Sequence, residues 1–189
     1  MARAKSYDRD EALSKAMHAF WDKGFAGTSM RALTKATGVS PKSLYAEFGD
    51  KETLFLSALD AYIQEQAAFY KGLEGSPFGL ERLYQHFACD FDETFKGCFL
   101  INSLSEGPNV PADAQQRIDD FFRYVHDLYF KHLEAAQTAK DLREDLDLHA
   151  SAEALVVFDQ GLAIAGMSSV QRPLLKSAAK AFLDGLARS

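Results

Sequence analysis

The stretch Thr28–Lys51, TSMRALTKATGVSPKSLYAEFGDK, constrains this chain most, because it punctuates two very short helices within two dozen residues. Thr28 and Ser29 can each cap a first helix, along which Met30, Leu33 and Thr37 recur at helical spacing. Gly38 supplies the backbone freedom for a sharp turn. Ser40 can cap the second helix, and Pro41 falls at its first position, where no N–H is needed. Leu44 and Phe48 then form an i, i+4 apolar pair that faces inward. The outer face is left with Lys42, Ser43 and Tyr45. A short helix with a small, polar and basic outer face, held across another by a tight turn, is the arrangement that enters the DNA major groove. An ordinary helical hairpin explains the apolar positions equally well but not Lys42 and Tyr45 on an exposed face.

In register, Thr28, Ser29, Met30, Arg31, Gly38, Val39, Ser40, Leu44, Tyr45, Phe48 and Lys51 resemble the helix-turn-helix of the TetR/AcrR-type transcriptional regulators. Beyond residue 60 the resemblance is limited to length, helical pattern and the phrase GCFLINSLSE. It implies a homodimeric repressor on a palindromic operator, released by a small, mainly apolar effector, with no cofactor. Glu47 departs from the His or Tyr of many relatives; a carboxylate there repels phosphate, so a nearby cation is its expected partner, ahead of a cytosine donor.

The periodicity of the rest is helical almost throughout. An all-α chain of about nine helices is expected, with a DNA-binding domain over 1–50 and an effector-binding and dimerisation domain over 51–189. Asp8 to Lys23 carries an apolar stripe of Ala12, Leu13, Ala16, Met17, Phe20 and Trp21 that Gly24 ends. Asp50 can cap a long fourth helix. Gly72 to Gly79 is the clearest loop, and Leu80 to Phe95 then holds helical spacing with a heavy aromatic load. Cys98 to Ile101 is apolar on every side, Ile118 to Leu133 marks a long helix, and Asp141 to Asp147 reads as an acidic, solvated connector whose Asp147 caps the next helix. The last two helices are expected over 148–168 and 173–187, with Gly161 and Gly166 permitting close approach.

The net charge of −6 argues against nucleic acid until its distribution is considered. Residues 1–51 hold nine Lys/Arg against six Asp/Glu, whereas the remainder is acidic, as suits a protein that meets phosphates at one end only. No apolar run is long enough to span a bilayer and the first residues lack a signal-peptide core, so a cytoplasmic protein without membrane association is expected. No nucleophile elbow, phosphate loop, metal-protease helix or dinucleotide fingerprint occurs, and no enzymatic activity is expected.

Chemistry assigns Lys42, Ser43 and Tyr45 to base edges or backbone, and Thr28, Ser29 and Lys51 to phosphates from helix N-termini. Arg31 suits either role, and Ser40 belongs to the same set. Arg3, Lys5 and Arg9 read as a frayed tail rather than a minor-groove arm. One short helix reads only a few base pairs, so two copies on half-sites roughly 34–36 Å apart are expected. The resemblance places their contact on the last two helices, for which Leu155, Phe158, Leu162, Ala165, Leu175, Ala179 and Phe182 are the candidates.

An effector pocket is expected among Tyr62, Phe69, Phe87, Phe91, Phe95, Cys98, Phe122 and Phe158, with Asn102, His126 or Asp159 orienting the ligand. Most aromatic stripes of this kind are core. A small-molecule binder or a thiol sensor is the rival reading, but the apolar neighbours of Cys98 favour an inert thiol. His86, Cys89 and Asp90 lack a second cluster that would complete a metal site, so no metal is expected.

Overall fold

The structure is a computed structural model that describes residues 7–75, 77–88 and 91–188. Among these residues it is all helical, with nine α-helices and no strand beyond an isolated bridge between Leu142 and Ala187. The helices are α1 (Arg9–Gly27), α2 (Met30–Thr37), α3 (Pro41–Phe48), α4 (Lys51–Tyr70), α5 (Leu80–Phe87), α6 (Phe99–Ser105), α7 (Ala112–Thr138), α8 (Leu148–Ala165) and α9 (Leu175–Asp184). The chain forms two compact units, one of residues 1–66 with 99–119, the other of residues 67–98 with 120–189. A single cut at residue 50 does not describe this division, because α6 returns to pack on α1.

In the first unit, local signals start each helix where the residues indicate. Asp8 caps α1 by accepting from the Asp10 and Glu11 N–H groups, Ser29 caps α2 through Ala32, and Ser40 caps α3 through Ser43. Asp50 accepts from the N–H and hydroxyl of Thr53 at 2.8 and 2.9 Å, which holds its carboxyl below the usual range and starts α4. Gly24 breaks α1 with φ +74°, and Gly38 ends α2 in the left-handed region. The core is aromatic: Phe20 and Phe99 both meet Phe55 edge-on at 5.1 and 5.8 Å, and Tyr62 packs on Trp21 at 5.1 Å.

In the second unit, helical spacing overstates α5. The helix stops at Phe87, and Phe91 and Phe95 lie past it, where Asp92 accepts from Thr94 N–H at 2.7 Å in a local turn. Their rings pair at 4.4 Å and lie where a side chain on Gly166 would fall, so the small residue there is demanded by packing. Gly161, by contrast, faces open space. The 141–147 connector is less solvated than its acidity suggests: Leu142 is buried, and Arg188 N–H donates to Asp141 C=O at 2.7 Å. Asp147 caps α8 through Ala150 N–H, and α8 and α9 begin and end within a few residues of their expected spans.

A polar chain runs through this unit's apolar interior. The hydroxyls of Tyr70 and Tyr129 both donate to Asp159 Oδ2, the latter at 2.9 Å, and His86 Nε2 lies 3.2 Å from the Tyr129 hydroxyl. With the Tyr129 proton given to Asp159, His86 donates from Nε2. Burial pushes the Asp159 carboxyl up against the lowering effect of its two donors. Burial, reinforced by the Asp159 charge, pushes both phenols well above their ordinary range. Burial, then the neighbouring His132, pushes His86 down to about 4. A histidine held neutral in the folded state and titrating near its ordinary value when unfolded binds fewer protons folded than unfolded across that window. Its stabilising contribution is therefore complete above pH ~6.5 and is lost as the pH falls towards 4, by up to about 3 kcal/mol. Urea unfolding at pH 7 and pH 4.5 should show this loss, and His86→Gln should flatten the histidine part of it.

Candidate nucleic-acid interface

The turn between α2 and α3 is fixed from within. The Thr37 hydroxyl donates to Leu33 C=O at 2.8 Å and accepts from Val39 N–H at 3.1 Å, while Leu33, Leu44 and Phe48 are buried. Burial of Leu44 and Phe48 turns the opposite side of α3 outward, leaving Lys42 exposed, Tyr45 50 % exposed and Ser43 half-buried. The Ser40 hydroxyl also contacts that of Ser43 at 3.0 Å, so Ser40 and Ser43 both serve the helix start. Arg31 and Ser29 are exposed at the beginning of α2.

Glu47 does pair with a cation. Arg9 Nε lies 3.2 Å from its carboxylate, Tyr7 donates to it at 3.3 Å, and the Arg9 guanidinium sits over the Phe48 ring at 5.2 Å. Arg9 is thus a clamp from α1 onto α3, not part of a tail; Arg3 and Lys5 lie outside the described residues.

Two of the candidate contacts are occupied by the unit itself. Thr28 is fully buried, and its hydroxyl donates to Gly24 C=O at 2.6 Å, so it cannot reach a phosphate; Ser29 takes the capping role that either could fill. The Lys51 ammonium donates to Phe25 C=O at 2.9 Å and lies 4.0 Å from the centre of the Phe25 ring. The last turn of α1, past Gly24, is also held by Glu106, whose carboxylate accepts from Phe25 N–H at 2.7 Å and Ala26 N–H at 3.0 Å. A side chain at Gly24 would strike that carboxylate, which explains the glycine together with its positive φ. No local signal marks Glu106, about eighty residues further along. Replacing it with Ala removes two charge-assisted hydrogen bonds on a half-buried turn and should cost about 1–3 kcal/mol in urea unfolding.

The other candidates are dispersed. Tyr62 is core of the first unit, and Asn102 lines a small cleft there with Trp21 and Phe99. In the second unit Phe87 packs on Tyr129 and Phe158, Phe91 pairs with Phe95, and Phe69 is 50 % exposed. His126 stacks near Phe130 and His149, while Phe122 and Cys98 are half-buried. Cys89 and Asp90 lie outside the described residues, and no metal-binding group occurs among those described.

Of the residues expected to join two copies, Leu155, Leu162, Leu175 and Ala179 are buried in their own chain, and Phe158 stacks on Phe182 at 4.5 Å. Those four buried residues serve the fold of their own chain, whereas Phe158, Ala165 and Phe182 are half-buried. The apolar residues that α8 and α9 leave outside are instead Val157 (68 % exposed), Ile164 (53 %) and, just before α9, Leu174 (59 %), with Ala154, Gly161, Ala178 and Ala181 between them. α8 is apolar on both faces, so periodicity alone did not tell inside from outside.

A capped two-helix turn presenting Lys42 and Tyr45, joined to an otherwise all-helical body, defines a helix-turn-helix regulator. Residues 12–58 match the family described as bacterial regulatory proteins, tetR family. The HTH-type transcriptional regulator YezE of Bacillus subtilis is 30 % identical over 164 residues, 82 % of this chain and 84 % of YezE. The chain belongs to the TetR family of transcriptional regulators. It is also similar to the transcriptional repressor ComR of Escherichia coli, 40 % identical over 113 residues, a match that spans about half of each protein. Among solved structures, the TetR family regulator CifR in complex with 26-base-pair operator DNA is 27 % identical with a TM-score of 0.80, covering 98 % of this chain and 100 % of CifR. No helix among the described residues is long and apolar enough to cross a membrane.

Proposed function

We propose that this chain is a cytoplasmic repressor that binds a palindromic operator as a homodimer, with α3 in the major groove of each half-site. The exposed face of α3 carries the reading: Lys42 and Tyr45 stand outward on a helix whose inner face is fixed by Leu44 and Phe48. Ser29, Arg31, Ser40 and Ser43 flank that face, and Lys51 reaches a phosphate only by leaving Phe25. Binding of operator DNA by CifR supports the same use here. The second copy docks on the outer face of α8 and α9, where Val157, Ile164 and Leu174 would otherwise remain in water.

A small, mainly apolar effector binds in the second unit beside the Asp159 hydrogen-bond chain, with Phe87 and Phe158 as its apolar flank. An effector that favours a spacing of the two α3 helices unlike that of the half-sites releases the operator. Selection of bound sequences from random duplex DNA tests the reading. A two-fold symmetric consensus is the expected result, and an enriched pool without symmetry would contradict the dimer.

A further inference from the structure

We infer that the Asp159 carboxylate marks a binding site for an organic cation, which makes the effector proposed above for the second unit an ammonium compound with an apolar body. The inference rests on that reading for its place in regulation, but not for the site itself. Among the described residues the fold uses one oxygen of this carboxylate: Oδ2 accepts from the hydroxyls of Tyr70 and Tyr129. Oδ1 accepts no hydrogen bond there and does not belong to the buried unpaired atoms, so it keeps open surface. Asp159 is accordingly half-buried, yet burial dominates its titration, which sets the free oxygen in a recess rather than on the outer surface.

The groups around that oxygen decide the charge of the ligand. Among the described residues no lysine or arginine pairs with Asp159: its two partners are phenols, and His86 reaches it only through the Tyr129 hydroxyl, at 3.2 Å, and is held neutral by burial. A carboxylate withdrawn from water without a counter-ion is costly; two neutral donors offset part of that cost, and an ammonium group at Oδ1 offsets more. An anionic ligand would be repelled there, and a neutral one would leave the charge uncompensated. The remaining surroundings are aromatic. Tyr70 and Tyr129 lie 6.4 Å apart, Phe87 is 5.6 Å from Tyr129 and 5.9 Å from Phe158, and Phe69, 50 % exposed, carries the cluster to the surface at 5.4 Å from Tyr70. Such rings give apolar contact to an organic body and attract a cation presented to their faces. A proton on Oδ1 is the competing way to neutralise the site, and it would turn the carboxyl into a donor for neutral acceptors.

The full-length protein is titrated calorimetrically near neutral pH with phenyltrimethylammonium, with its neutral isostere tert-butylbenzene, and with acetophenone as a neutral acceptor. The cation should bind saturably and at least about tenfold more tightly than either neutral compound. Asp159→Asn, which keeps the shape of the side chain, should abolish that preference while circular dichroism shows unchanged helix content. The comparison of the three compounds in the unaltered protein decides the matter even where the variant fails to fold. Absence of saturable binding by the cation, equal binding by tert-butylbenzene, tightest binding by acetophenone, or a preference that survives in a folded Asp159→Asn protein would each overturn the site. Release of operator DNA is measured separately with the same compounds. A cation that binds through Asp159 and leaves the DNA bound supports the site and contradicts the effector reading, whereas release by tert-butylbenzene but not by the cation keeps the effector reading and overturns its cationic class.

Discussion

Val157→Asp with Ile164→Asp should convert the proposed dimer to a folded monomer and lower operator affinity by at least about 100-fold. Both side chains are more than half exposed in the single chain, so the substitution removes no core contact and the helical content stays unchanged. In the proposed dimer the same positions would be desolvated, and carboxylates facing their symmetry mates would repel one another. The loss in DNA binding follows from linkage of half-sites: tethering a second recognition helix contributes roughly 10²–10⁴ in avidity without any new contact. Analytical ultracentrifugation at micromolar concentration separates the outcomes. A variant that remains dimeric places the interface elsewhere, and one that is monomeric but binds DNA undiminished removes the need for a dimer.

Lys42→Ala with Tyr45→Ala has the second large effect. Each side chain lies on the outer face of α3 and neither is used to hold the turn, so the melting temperature should change little. A direct contact to base or phosphate contributes about 1–3 kcal/mol, and symmetry counts every loss twice, so operator affinity should fall by two orders of magnitude or more. The loss of Lys42 should also make the salt dependence shallower, because fewer counterions are released. Leu44→Ala provides the contrast, since it leaves a cavity beneath α3 and should lower stability by about 2–5 kcal/mol.

What could be read along the chain was whatever depends on neighbours three or four residues apart. Ser29, Ser40, Asp50 and Asp147 cap their helices because a side-chain oxygen three residues before a free N–H is a local arrangement. Leu44 and Phe48 were legible as the inner face of α3 for the same reason. Thr28 and Ser29 were equivalent as caps in sequence, and only the fold shows that Thr28 turns inward to Gly24. Phe91 and Phe95 kept helical spacing beyond the end of α5 because spacing records which residues are apolar and not where the backbone turns. The clamp by Glu106 and the capture of Lys51 by Phe25 join residues far apart in the chain, and nothing local announces them. The outer face of α8 was hidden for a different reason, since a helix apolar all round has no sequence marker for the side that meets its own core.

Reading of DNA by α3 of two copies is tested by a footprint on the DNA flanking the gene that encodes this chain, repeated across salt concentrations. The expected result is protection of a palindrome whose half-sites lie roughly one helical turn or a small multiple apart, with affinity that falls steeply as salt rises. Protection of one unpaired site, or binding indifferent to salt and to the Lys42 and Tyr45 substitutions, would contradict it.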